Sequence, residues 1–478
     1  MMHKLLIGGR WLPASDEDTI PVLSPVDGQV YAHIARGRAA EIDAAVRAAQ
    51  QALDGEWGRM TATERGRVLM KLANLVQDHA QELAAIEARD TGKALATAMI
   101  DMEVLARYFE FYGAGADKVH GQVIPFLNGY TVTVLREPLG VTGHIIPWNY
   151  PAQMFGRTCA PALAMGNACV VKPAEDACLS ILRIAELALE AGLPPGALNI
   201  VTGYGEEAGA ALSAHPGLGL VSFTGSSEVG TLVQQATARN AVKCVLELGG
   251  KSAQIVFDDA DLDKALQLVV RGIVQNTGQT CTAGSRLLVQ RDIYDRFVER
   301  VAERFGQLRA GAPDTQPDCG PVINRKQMER VDRFVEEAVA AGIPLLGAGR
   351  IDPEAPSGGF YVRPALFAPV PRDHRLAKEE VFGPVLAAMP FDDEADAIAL
   401  ANDTDYGLQA AVWTENGGRQ QRVAKAMRVG QVYINCYGAG GGVELPFGGV
   451  KRSGHGREKG FLALEEMSTT KTVVHLHG

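Results

Sequence analysis

The stretch Asn276-Thr-Gly-Gln-Thr-Cys281-Thr-Ala-Gly-Ser-Arg286 sets a thiol among small and polar residues, where a packed structural cysteine usually has apolar neighbours. An accessible thiol becomes a strong nucleophile as its thiolate, which forms where backbone N–H groups converge at a turn and water partly reaches. A lone cysteine in a glycine-containing loop is also compatible with no chemical role, so the other reactive side chains decide. Glu247, in Cys244-Val-Leu-Glu-Leu-Gly-Gly-Lys-Ser252, stands between apolar residues and two glycines. Burial there raises its pKa and poises it as a base, unless it is a strand-end glutamate in an ion pair. Thr224-Gly225-Ser226-Ser-Glu-Val-Gly230 reads as a glycine turn opening a helix capped by Ser226 or Ser227. That is either an anion site suited to a pyrophosphate or an ordinary turn and cap.

These residues need elements to place them. Residues 4–36 read as short strands with hairpins at Gly8-Gly9 and Asp27-Gly28. Helices follow over 41–53, from a Thr61-x-x-Glu64 capping box through Arg89, and over about 96–113. Val123 to Arg136 reads as a hairpin about an Asn128-Gly129 turn, an arm suited to pairing with another subunit. Val141–Ile146, Ala168–Val171, Leu198–Val201 and Leu220–Phe223 are buried-strand candidates separated by helices such as 180–190, the pattern of a parallel sheet covered on both faces. Ligands bind such sheets at the carboxyl ends of strands, which directs attention to Pro147-Trp148-Asn149-Tyr-Pro, Lys172-Pro-Ala-Glu175 and Gly225. Gly203-Tyr-Gly205-Glu-Glu-Ala-Gly209 carries one residue too many for a dinucleotide fingerprint and reads as a strand-to-helix turn. Residues 251–450 repeat the alternation as a second α/β unit, 438–456 is a glycine-dense loop, and 469–476 is a strand that can pair with the arm.

With 478 residues the chain exceeds one core and divides into two or three domains. A net charge of -10 argues against a nucleic-acid partner. Seven scattered cysteines without C-x-x-C or zinc spacing indicate neither a disulfide framework nor a metal site, and point to a reducing, cytoplasmic setting. Neither a signal peptide nor a membrane span is expected.

Taken together, Pro147-Trp-Asn-Tyr-Pro151, Lys172-Pro-Ala-Glu175, Phe223 to Gly230, Leu246-Glu-Leu-Gly-Gly-Lys251, Gly278-Gln-Thr-Cys281, Glu380-Val-Phe-Gly-Pro384 and Pro446-Phe-Gly-Gly449 resemble the aldehyde dehydrogenase superfamily, in order and over essentially the whole chain. The resemblance implies an α/β fold: a Rossmann-like cofactor domain (1–119 and 139–249), an α/β catalytic domain (250–449), a small β oligomerisation arm (120–138 and 465–478) and a connecting segment (450–464). It implies NAD-dependent oxidation of an aldehyde to the acid by a homodimer or homotetramer. Cys281 would be the nucleophile, Asn149 with the Cys281 N–H the oxyanion donors, Glu247 the base for thioester hydrolysis and Glu458 a proton relay. Pro147, Trp148, Lys172, Glu175, Gly205, Gly225, Ser226, Gly249, Glu380 and Phe382 would hold the cofactor, with NAD preferred because a 2′-phosphate would meet Glu175. Tyr150, Arg157 and Thr282 would face the substrate. Many members carry tryptophan where this chain has Arg157, and succinate-semialdehyde dehydrogenases pair an arginine there with a second one where this chain has Gln275. Arg157 is therefore either an anion contact for the substrate or an ion-paired residue at a subunit contact. An acyl transfer to coenzyme A is the competing reaction, disfavoured by Glu247, and a non-catalytic binding protein is the other alternative.

Overall fold

Val141–Ile146, Ala168–Pro173, Leu198–Ile200 and Leu220–Thr224 are almost wholly buried and pair in parallel, as continuous apolar runs do when helices cover both faces of a sheet. The computed structural model describes residues 2–438 and 442–478. Among these, the largest sheet runs Gly454–His455, Lys243–Glu247, Leu220–Thr224, Val141–Ile146, Ala168–Pro173, Leu198–Ile200, Leu5–Ile7, Arg10–Leu12. The first strand and the last two are antiparallel additions to a parallel centre. All the central strands end on one side, so Pro147, Lys172, Gly225 and Glu247 emerge together.

The second sheet runs Leu345–Ala348, Ala365–Phe367, Val385–Phe391, Arg286–Gln290, Ala253–Val256, Gln409–Trp413, Gln431–Ile434, parallel except at its first, edge strand. Cys281 precedes Arg286–Gln290 and Phe382 precedes Val385–Phe391, and these strands are neighbours. The second sheet thus offers its reactive residues from strand amino ends, while the first offers them from carboxyl ends.

Ser468–Leu476 pairs antiparallel with Tyr130–Pro138 along its whole length, and Gln122–Ile124 pairs on the other side. Val123, Val474 and Leu476 on this small sheet, and Phe126 and Leu127 in the connection between its first two strands, are exposed. Two local expectations need correction. The Asn128-Gly129 turn forms as expected, closed by the Tyr130 N–H on the Leu127 carbonyl at 3.2 Å, but the first strand stops at Ile124 and leaves a five-residue connection, 125–129, because Pro125 has no N–H to continue the ladder. The helix opened by the Thr61 capping box ends at Asp78, and a second one, Ala80–Thr91, follows; His79 leaves helical geometry at φ -103, ψ 13. Within the glycine-dense loop 438–456, residues 439–441 lie outside the described residues.

Asn167 ties these parts together. Fully buried, it accepts from the N–H groups of Leu139 (2.7 Å) and Gly140 (3.1 Å), where the arm enters the large sheet, and donates to the carbonyl of Met467 (2.8 Å), where the last strand begins. Asn167→Ala would strip three backbone groups of their partner and should cost about 3 kcal/mol or more. Thermal unfolding measures this, and an unchanged transition would show that the three groups find other partners.

Candidate active site

Two glycines and a left-handed turn bring the loops of the two sheets together. Gln275–Gly278 is a 3₁₀ turn in which Asn276, Thr277 and Gly278 have φ of 49°, 56° and 74°. A Cβ on Gly278 would overlap the backbone of Gly383, so glycine is required there on two counts. A Cβ on Gly249 would run into the Glu380 carboxylate, and one on Gly250 would lie 2.5 Å from the Cys281 carbonyl oxygen. The Gly-Gly pair after Glu247 therefore lets the Glu380 side chain and the cysteine loop press against the strand end that carries the glutamate.

Asn149 is 7 % exposed and its Nδ2 donates to the carbonyl of Gln279, two residues before Cys281, at 3.0 Å. An amide NH₂ has a second hydrogen to give. Its own carbonyl accepts from Asn276 Nδ2 (3.0 Å) and Lys93 Nζ (3.2 Å). Lys93 is buried and also bonds Asp101 (2.6 Å) and Glu87 (3.3 Å). Burial opposes its charge, but the two carboxylates outweigh that and hold it above its ordinary value. Glu87 in turn accepts from the Ala152 N–H and the Ser180 hydroxyl. This buried network fixes the start of the helix Pro151–Ala164 and the backbone of Asn149. Sequence reasoning missed it, because Glu87, Lys93 and Asp101 sit on other elements and have no motif spacing to Asn149.

Tyr150 and Arg157, expected to face the substrate, are both buried. Tyr150 hydrogen-bonds Thr280 Oγ1 (2.9 Å) and Gln275 Nε2 (3.4 Å), with its ring beneath the Lys93 ammonium. It braces the cysteine loop. Arg157 is 4 % exposed, ion-paired with Glu458 and 3.6 Å from Glu247. Its guanidinium is already paired with the buried Glu458 carboxylate. Thr282 is half-buried, and its carbonyl accepts from the Tyr437 hydroxyl.

Glu247 is 3 % exposed and neither of its oxygens is hydrogen-bonded among the described residues. Burial pushes it well above the usual carboxylate range, with Arg157 opposing. Burial likewise pushes the half-buried Cys281 thiol up to about 12, while Arg157 pulls the other way. The expected ready thiolate is thus not the resting form: backbone N–H groups at the turn do not offset the loss of water.

Around the carboxyl ends of the first sheet, Lys172 Nζ binds Glu175 at 2.8 Å and Glu175 remains part-exposed. Ser226 accepts from the Val229 N–H at 3.2 Å and caps the helix Ser227–Ala238 directly after Gly225. The Gly250 N–H donates to Glu380 at 2.9 Å, and burial brings that carboxyl up to about 7. Trp148 meets Phe382 edge-on at 5.4 Å between centroids, and Pro147 leads into this pair. Gly205 opens a short π turn with open space beside it.

Elsewhere, ligand atoms of the fully buried His144, Cys159 and Cys169 lie within 4.8 Å of one another. They come from two strands and a helix, so no spacing in the sequence announces them. Three donors are one fewer than a closed structural zinc site uses.

The pattern of the Aldehyde dehydrogenase family matches residues 11–473 of this chain, and the chain belongs to that family. It is 43% identical over 479 residues to human (Homo sapiens) retinal dehydrogenase 2, covering 98% of this chain and 91% of that protein. A candidate aldehyde dehydrogenase from Burkholderia cenocepacia, known from its crystal structure, superposes with a TM-score of 0.98 at 60% identity over 99% of this chain and 100% of its own. PnpE from Pseudomonas sp. WBC-3, crystallised with nicotinamide adenine dinucleotide, gives a TM-score of 0.97 at 40% identity over 100% of this chain and 98% of that one. The chain is an oxidoreductase that acts on aldehydes.

With the thiol raised to about 12, alkylation mapped to Cys281 in the cofactor-free enzyme should climb about tenfold per pH unit between roughly pH 7 and 10 without levelling. A plateau below about pH 8 would mean that the resting site already holds a thiolate.

Proposed function

We propose that Cys281, Asn149 and Glu247 carry out NAD-dependent oxidation of an aldehyde to the carboxylic acid. The observation behind this reading is their arrangement: the cysteine loop is hydrogen-bonded to the Asn149 amide and pressed on Gly250, three residues beyond a buried carboxylate with no hydrogen bond of its own. The Cys281 sulfur adds to the aldehyde carbon. The free hydrogen of the Asn149 amide and the Cys281 N–H meet the oxyanion, at the point where charge develops. NAD, when bound, supplies the hydride acceptor. Cys281 then carries a thioester, and Glu247 takes a proton from the water that opens it, releasing the acid and the thiol.

The residues at the strand ends suit a dinucleotide. The Ser226-capped helix offers N–H groups to phosphates, Lys172 and Glu175 stand where ribose hydroxyls can bond, and Glu380 with Phe382 borders the cysteine loop. The carboxylate of Glu175 favours NAD over NADP. Because Arg157 is already neutralised, an uncharged aldehyde suits the site better than a semialdehyde bearing a carboxylate. Glu247 favours water over coenzyme A as the acyl acceptor. We assign residues 1–119 and 139–249 to cofactor binding, 250–449 to catalysis, 450–464 to a connecting segment, and 120–138 with 465–478 to an oligomerisation arm. Seven free thiols agree with a reducing, cytoplasmic setting, and among the described residues no helix is long and apolar enough to cross a membrane.

Cys281→Ala should abolish NADH formation while NAD still binds. Glu247→Gln should accumulate a covalent acyl adduct visible by intact mass after mixing with aldehyde and NAD. Near-normal turnover by either variant would refute its assigned role, and acid release that depends on added coenzyme A would favour acyl transfer.

The exposed apolar edges of the arm point to a homodimer or homotetramer. Light scattering should show a species at least twice the 50.9 kDa of one chain, and a lone monomer peak at assay concentration would exclude it.

A further inference from the structure

Arg157 stands eight residues beyond Asn149 on the helix Pro151–Ala164. Its Nε faces Glu458, its Nη2 faces Glu247 at 3.6 Å, and its guanidinium lies 4.1 Å from the centroid of the Phe447 ring. Glu458 is anchored twice more. Ser222 Oγ donates to it at 3.1 Å, and its backbone exchanges hydrogen bonds with Phe447 at 2.7 and 2.8 Å. Among the described residues Glu247 has no such anchor: its carboxyl group faces Arg157 without a hydrogen bond. Of two carboxylates sharing one guanidinium, one is fixed and the other is free to turn.

We propose that Arg157 is a positioning residue for thioester hydrolysis: its guanidinium holds the Glu247 side chain by charge, and Glu458 competes for the same guanidinium and so limits how strongly Glu247 is held. This rests on Glu247 acting as the base.

The charge count supports it. With both carboxylates ionised the trio carries one net negative charge, and a Cys281 thiolate would add another. The other titratable groups facing the trio are Arg457 and Lys459 from the same C-terminal segment as Glu458, Tyr108 and Tyr112 from the helix Leu95–Gly115, Cys159 from Arg157's own helix, and Cys281, on which Glu380 also acts. Burial keeps both tyrosines protonated, and Arg457 acts on Glu247 more weakly than Arg157 does. Arg157 is also the largest influence favouring the Cys281 thiolate. Burial raises Glu247, Arg157 lowers it, and Glu458 raises it further. Removing the guanidinium and removing the competing charge therefore push Glu247 in opposite directions.

The test is single-turnover hydrolysis of the acyl-enzyme, formed from an uncharged aldehyde and NAD, followed from about pH 6 to 10. Glu247 works deprotonated, so the rate rises through its pKa. Arg157→Leu should move that rise up by about one pH unit or more, Glu458→Gln should move it down, and Arg157→Lys should restore most of the wild-type position. KM for the uncharged aldehyde should stay within about threefold in all three, because no contact with substrate is removed. Should Arg157→Leu fail to fold, the downward shift in Glu458→Gln and the position in Arg157→Lys decide the matter. Shifts in the same direction, or none, overturn the proposal. So does an effect of Arg157→Leu confined to the KM of a carboxylate-bearing aldehyde, which would make the guanidinium a substrate contact. If Glu247→Gln hydrolyses its acyl-enzyme with the wild-type pH dependence, it is the base assignment that fails.

Discussion

The site exists because main chain at the ends of the two sheets is approached closely at three points, twice by backbone and once by a side chain. Gly278 lies on Gly383, Gly250 on the Cys281 carbonyl and Gly249 on the Glu380 carboxylate. At Gly278 and Gly250 a Cβ would have to move main chain, and at Gly249 it would displace the Glu380 carboxylate, which leaves the joint little slack. The cysteine loop enters that joint through a run of left-handed residues, two of them not glycine. Such strain persists only where the surroundings over-determine it, and here the Asn149 amide and the glutamine and asparagine side chains of the loop supply the determination.

Buried charge does the rest of the positioning. Lys93 with Glu87 and Asp101 lies beneath Asn149, and Arg157 with Glu247 and Glu458 lies beside Cys281. Removing one partner from a buried set typically costs about 3–5 kcal/mol, since the remaining charge has no water. The two sets differ in how they are satisfied. The Lys93 set is hydrogen-bonded throughout to Asn149, Ala152 and Ser180, which suits a rigid support. The Arg157 set leaves Glu247 without a hydrogen bond among the described residues, which suits a group that must exchange a proton and turn.

The thiol and the carboxylate are both pushed toward their protonated forms by the same loss of water. A thiol in this state is less prone to stray oxidation. Accessibility inferred from polar neighbours in the chain was therefore a poor guide to ionisation: small residues around Cys281 permit close packing as readily as they admit water.

What the amino-acid order determines by itself is local. The buried apolar runs specify the strands of a parallel sheet, the Thr61 box and Ser226 specify helix starts, and the Gly-Gly after Glu247 and the glycine before Cys281 mark close approaches, because each depends on residues within a few positions of one another. The helix break at His79 and the five-residue connection before Tyr130 were out of reach for the same reason reversed: they turn on one residue's geometry and on where a ladder stops. Only the tertiary structure decided that Tyr150 braces the cysteine loop, that Arg157 is buried in an ion pair, that Lys93 holds Asn149, and that Glu458, more than two hundred residues from Glu247, faces the same guanidinium. A side chain's charge state and direction follow from what surrounds it in space, and in this chain the partners that set them come from distant elements that a reading along the sequence cannot bring together.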